Sequence, residues 1–140
     1  VIMESSHANQ DSTQEAVVSS DLEILEPLVE NGISVMGIRA TPRFSYFVPE
    51  CIAANGNFQI ACGIDKASFY MSDDEFSRLV DFSQYAQMAD LTSVFCPNDF
   101  CSPVDGNIIK YLDDSHFTKT YAISLADELE IYIMKSLGLS

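Results

Sequence analysis

The sequence predicts an α/β domain built on a parallel sheet. Three observations carry that prediction. Val1-Ile2-Met3 reads as the end of a buried strand. An amphipathic helix over 21–31 follows after a polar stretch, with Leu22, Leu25 and Val29 at helical spacing and Leu28 alongside. The run Ile33-Ser34-Val35-Met36-Gly37-Ile38 then comes after Asn31-Gly32, a good helix stop, and suits a central strand buried on both faces. Strand, helix and strand in that order form one parallel βαβ unit.

The bulk properties bound the class. The chain has 140 residues, the size of one ordinary domain with a real core, and 47% of them are hydrophobic. No apolar run approaches the roughly 20 residues that a membrane helix needs. The opening is too short and lacks the basic flank of a signal peptide. It also starts with Val rather than Met, so the expectation is a piece of a longer protein. The formal net charge of −14 argues against nucleic acid and against anionic lipid as partners.

The remaining elements follow in chain order. Residues 4–15 read as a polar loop. Ser6 and His7 are adjacent there, and neighbours in extended chain point to opposite faces, so they are not expected to pair. His7 is expected to be a solvated loop histidine. Pro27 falls inside the first helix and is expected to kink it or to mark a start near Glu26. Arg39 and Arg43 follow the second strand, where open parallel sheets carry ligands. They could contact an anion or a carbonyl, but pairing with the acidic surface is the commoner role. Residues 44–74 read as long and irregular, ending at a helix start that Ser72 can cap. The first half of 86–96 reads as a strand. Residues 96–106 read as a small knuckle, 108–111 as a short strand, and Thr118 onward as the final helix, with Tyr121, Leu125, Leu129, Tyr132 and Ile133 forming its apolar stripe.

Four cysteines fall into two local pairs, Cys51 with Cys62 and Cys96 with Cys101. Zinc is the rival use, but ten residues separate the first pair and no histidine lies near either. Two short-loop disulfides in an exported domain fit better. A Cys51–Cys62 staple would also explain how so long an irregular segment is tolerated. No metal and no cofactor are expected.

The candidate chemistry lies in Tyr111-Leu112-Asp113-Asp114-Ser115-His116-Phe117-Thr118, which holds one of only two histidines. An Asp three residues before a His can meet it across the first turn of a helix. The carboxylate then fixes the tautomer and stabilises the imidazolium, and the second ring nitrogen is left to take a proton from a hydroxyl. The alternative is that Asp113 caps the last helix and His116 merely follows.

Several stretches together resemble one family. They are Ile38-Arg39-Ala40-Thr41-Pro42-Arg43-Phe44, Val48-Pro49-Glu50-Cys51, Cys62-Gly63, Ala89-Asp90-Leu91-Thr92, Cys101-Ser102-Pro103-Val104 with Gly106-Asn107, and the Asp113–His116 stretch. The chain resembles the C-terminal part of the SGNH-type hydrolase domain attached to bacterial membrane acyltransferase family 3 proteins, the cell-envelope glycan O-acetyltransferases. That resemblance implies a three-layer α/β sandwich of SGNH or flavodoxin type over residues 1–140, present as its C-terminal portion. It implies an extracytoplasmic domain, tethered through a membrane module absent from this chain, that moves an acyl group, most often acetyl, onto a glycan hydroxyl. Asp113 and His116 would be the acid and base of a Ser-His-Asp site. The family's nucleophile stands in a Gly-Asp-Ser turn. Here Ser6 is the nearest candidate, but Glu4 and Ser5 replace the Gly and Asp. The nucleophile is therefore expected upstream of this chain, and the isolated segment is expected to be inactive. The alternatives are a secreted carbohydrate esterase and a non-catalytic glycan-binding module of the same fold.

Overall fold

A computed structural model of the chain describes residues 1–9, 11–17, 19–81, 83 and 85–139, with backbone alone at 19–22. Three parallel strands form its centre. They are β1 (Ile2–Glu4), β4 (Met36–Ile38) and β6 (Gln87–Ala89), in the order β1-β4-β6. Ile2 lies against Met36, and Met36 against Gln87. Between β1 and β4 the chain makes a two-residue hairpin, β2 (His7–Ala8) against β3 (Glu15–Ala16), and then helix α1 (Ser19–Glu30). The predicted βαβ unit is therefore present, with one addition. The hairpin replaces the loop expected over 4–15.

β1 is an edge strand, not a buried one: Val1 is 61% and Ile2 55% exposed. β4 occupies the centre, and Val35 and Met36 are buried there. Gly37 is required by the packing. A Cβ at this position would lie 2.7 Å from the Met88 methyl and 2.8 Å from the Tyr85 ring. α1 runs through Pro27 instead of starting near it. Leu25 is fully buried, whereas Val29 of the expected stripe is exposed. The side chain of Leu22 lies outside the described residues. The helix ends as expected, with Gly32 at φ +73.

The segment read as irregular is mostly helical. It holds α2 (Val48–Ala54), α3 (Phe58–Ala61), the short strand β5 (Ile64–Asp65) and α4 (Lys66–Phe69). Pro49 sits in the first turn of α2, where its missing N–H costs nothing. α5 (Asp73–Leu79) starts on Ser72, whose Oγ accepts the Glu75 amide at 3.2 Å. After β6 come α6 (Thr92–Phe95), a 3-10 turn over Pro97–Asp99, and β7 (Phe100–Cys101), which pairs with β5. β8 (Val104–Asp105) and β9 (Ile108–Ile109) form a hairpin. The final helix is two helices, α7 (Lys119–Ser124) and α8 (Ala126–Ser136), meeting at Leu125.

Helices flank the sheet as an α/β sandwich. Leu25 of α1 and Phe76 of α5 share one core with Val35, Val80 and Tyr85. A second core gathers Tyr70, Leu91, Phe95, Tyr121 and Leu125 around Cys96 and Cys101. Both cysteine pairs are bonded, with S–S distances of 1.99 Å for Cys51–Cys62 and 2.00 Å for Cys96–Cys101. Each sulfur's partner is thus the other sulfur of its pair. A third cluster of Phe44, Val48 and Tyr111 has the Phe44 and Tyr111 rings edge-on at 4.9 Å. That cluster docks the start of α2 against the turn that holds His116.

Candidate active site

The turn is held from several sides. Leu112 donates its amide to the His116 carbonyl at 2.7 Å, and Tyr111 bridges Phe117. The Phe44 amide donates to the Asp114 carbonyl at 2.8 Å, and the Val48 amide to the Asp113 carbonyl at 3.3 Å. Within this frame Asp113 makes three bonds. Its Oδ1 accepts the amides of Ser115 and His116, each at 2.8 Å, and its Oδ2 meets His116 Nδ1 at 2.7 Å. The two backbone N–H donors, first that of His116, are the main reason the carboxyl is pulled down to about 2.

Asp113 and His116 therefore meet as expected, but not on a helix. The bonds from Asp113 to the amides two and three residues on make a side-chain-closed turn. Thr118 caps α7, accepting the Tyr121 amide at 3.3 Å. The capping alternative for Asp113 is thus replaced by a turn-closing role that coexists with the contact to the imidazole.

Among the described residues, His116 Nε2 has no hydrogen-bond partner, and the side chain is 78% exposed. The ring borders a polar cleft of about 200 Å³, whose walls include Glu4, His7, Thr41, Arg43 and Ser115. Glu4 ends β1, while Ala40 and Thr41 follow β4 closely, so the cleft lies at the carboxyl ends of parallel strands. His7 is half-buried on β2 and forms part of this wall, so it is not a solvated loop histidine.

Ser6 is directed elsewhere. It is 1% exposed; its Oγ donates to Glu15 Oε1 at 2.7 Å and accepts the Ala40 amide at 3.0 Å. Glu15 in turn holds Arg39. The guanidinium also reaches Asp73 Oδ1 at 2.8 Å, Asp90 Oδ2 at 3.2 Å and the Met71 carbonyl at 2.8 Å. Arg39 lies over the Phe76 ring with 4.2 Å to the centroid. Burial opposes its charge, but the hydrogen bonds to Glu15 and Asp73 outweigh that and hold it above the ordinary arginine range. Arg39 is therefore a buried anchor rather than a surface ion pair or a ligand contact. Arg43 does make an ordinary pair, Nε to Asp114 Oδ2 at 2.8 Å, with both side chains partly exposed.

A doubly covered parallel sheet with a carboxylate-held imidazole at its strand ends defines an α/β domain whose candidate site suits proton transfer at a bound ligand. The comparison with known families sharpens this. The model for the SGNH domain (fused to AT3 domains) matches residues 4–130, and the chain belongs to that family. No curated protein and no solved structure matches. Among the described residues no helix is long and apolar enough to cross a membrane.

Proposed function

We propose that this domain serves acyl transfer to a hydroxyl of a cell-envelope glycan, on the extracytoplasmic side, in a protein that also carries the membrane acyltransferase module. Membership of the AT3-fused family and two disulfides, which oxidising compartments favour, support this reading. The observation that carries it is the 2.7 Å contact between His116 Nδ1 and Asp113 Oδ2, in a residue that lines the cleft.

In the proposed reaction the membrane module delivers an activated acyl ester. A serine hydroxyl attacks the acyl carbonyl and passes its proton to His116 Nε2. The donor's leaving oxygen or sulfur departs with that proton, and an acyl-serine ester forms. A glycan hydroxyl then attacks this ester and gives its proton to Nε2. The serine oxygen leaves and recovers the proton, so the enzyme is restored and the glycan carries the ester. Asp113 accepts the hydrogen bond from Nδ1–H throughout and orients the ring. The Ser6 hydroxyl is committed to Glu15 and to the Ala40 amide, so it is not the attacking serine of this reading.

One observation favours a second reading. His116 is exposed enough for water to reach Nε2, and water as acceptor turns the same steps into ester hydrolysis. Both readings need the imidazole. In the full protein, His116→Ala lowers ester turnover by about three orders of magnitude. Near-normal turnover ends the proposal.

A further inference from the structure

An open groove beside the His116 turn holds an ion pair and an exposed ring, and we infer that it seats the uncharged sugar whose hydroxyl accepts the acyl group. This inference rests on the acyl-transfer reading and names the acceptor's class. The groove measures about 380 Å³, within the range of small-molecule sites. The cleft at His116 measures about 200 Å³, below that range, so a bound sugar extends beyond it. Thr13, Arg43, Ser45, Phe47 and Asp114 contribute to the groove's walls. No described residue of β1 lines it, so a strand pairing at that exposed sheet edge does not thereby fill it.

Two observations commit the groove to this occupant. The first is the Arg43–Asp114 pair, Nε to Oδ2 at 2.8 Å, with both side chains 32% exposed. Among the described residues neither Nη of Arg43 has a hydrogen-bond partner, and Asp114 Oδ1 accepts only the Ser115 hydroxyl, at 3.3 Å. The pair thus offers spare donors and spare lone pairs side by side. A sugar hydroxyl both donates and accepts, so neighbouring hydroxyls of one ring match the pair through charge-assisted bonds. An anion would face Asp114 and a net charge of −14, and a cation would face Arg43. The second observation is Phe47, a large apolar side chain left 46% exposed. The C–H face of a pyranose covers such a ring and meets the negative side of its quadrupole. The place of the imidazole follows from the chain itself. Asp114 is two residues before His116, so their Cα atoms lie within about 7 Å of each other. Ser115, between them, lines the His116 cleft. A ring hydroxyl directed from the groove toward that cleft is the one that His116 would deprotonate.

Binding tests this without turnover, in this chain and in the full protein. The probes are the methyl pyranosides of glucose, galactose, mannose and rhamnose, with methyl glucuronide as the charged counterpart. The readout is the fluorine resonance of a fluorinated phenylalanine at position 47 and the Nε–H resonance of Arg43. At least one neutral glycoside is expected to shift both saturably at concentrations up to about 100 mM. Arg43→Gln should weaken that glycoside at least about tenfold, and Phe47→Ala at least about threefold. The Arg43 pair is an ordinary half-exposed one, so its loss keeps the fold. Phe47→Leu serves if the alanine variant fails to fold. Ile60→Ala, an exposed apolar side chain on α3, should leave the affinity unchanged. No saturable shift with any neutral glycoside, unchanged affinity in either groove variant, or tighter binding of the glucuronide overturns the inference. So does binding by this chain that the full protein lacks, because the rest of the protein would then cover the groove. Those results leave the His116→Ala experiment untouched. Conversely, sugar binding at Phe47 alongside normal turnover of His116→Ala would retain the subsite and remove the mechanism.

Discussion

Glu15 and Arg39 form a two-point ion pair in which neither side chain reaches solvent. Oε1 lies 2.9 Å from Nε and Oε2 2.9 Å from Nη2, and the side chains are 0% and 1% exposed. The pair ties the β2–β3 hairpin to the end of β4. Ser6 joins it through Glu15, and the Met71 amide donates to Glu15 Oε2 at 3.1 Å. Arg39→Ala would leave Glu15 buried without its cation, and it is expected to cost about 3–5 kcal/mol. Urea unfolding measures this. A loss below about 1 kcal/mol would mean that Glu15 finds water or another donor.

Ser6→Ala tests whether Ser6 is a structural or a reacting hydroxyl. The substitution leaves the Ala40 amide without its acceptor and Glu15 without one donor. Stability is expected to fall by about 1–3 kcal/mol. Acyl transfer by the full protein is expected to fall only in proportion to the folded fraction. Loss of turnover with stability unchanged would make Ser6 the nucleophile.

The turn around Asp113 was visible in the sequence only as a spacing. An Asp three residues before a His fits a helical turn and a side-chain-closed turn equally well, and nothing local separates them. What decides is the capping side chain two residues beyond His116: Thr118 starts α7 and leaves 113–116 outside it. The central strands and both cysteine pairs were legible because each rests on a strong local signal, an apolar run or a short sulfur spacing. The helices within 48–69 were not, because four to seven residues are too few to establish a period. Glu15 was hidden for another reason. A lone acidic residue in a polar stretch reads as solvated, and only the fold brings Arg39 beside it. The same holds for His7, whose place in the cleft depends on a hairpin of two-residue strands. A possible signal for Glu15 was that Arg39 directly follows a buried strand, where a cation needs a buried partner.

The low titration of Asp113 sets a pH dependence. Its carboxyl lies at about 2 in the folded chain against an ordinary 3.8. Its contribution to stability is therefore complete above the ordinary value and is lost as pH falls toward 2. Asp113→Asn keeps a side-chain oxygen able to accept the Ser115 and His116 amides, so the turn persists while the charge goes. The denaturation midpoint of the wild type is expected to fall more steeply than that of the variant between about pH 4 and pH 2. Parallel curves would place the low value elsewhere.

The Cys51–Cys62 bond closes a loop with a sequence separation of 11 that contains most of α2 and all of α3. Replacing both cysteines by alanine is expected to lower stability by about 2–3 kcal/mol in denaturant unfolding. The bond lies away from the His116 turn's own hydrogen bonds, so the transfer rate of the folded fraction should be retained. A rate loss exceeding the unfolded fraction would show that α2 positions the turn through Val48.

The proposed mechanism treats the Asp113 carboxylate and the His116 imidazole as one working unit, and single-turnover acyl transfer in the full protein tests that most directly. Wild type, Asp113→Asn, His116→Ala and the double variant are compared. The account predicts that Asp113→Asn alone slows transfer by about two to four orders of magnitude, and that adding it to His116→Ala costs nothing more. Losses that simply multiply, or an Asp113→Asn enzyme at full rate, would contradict it.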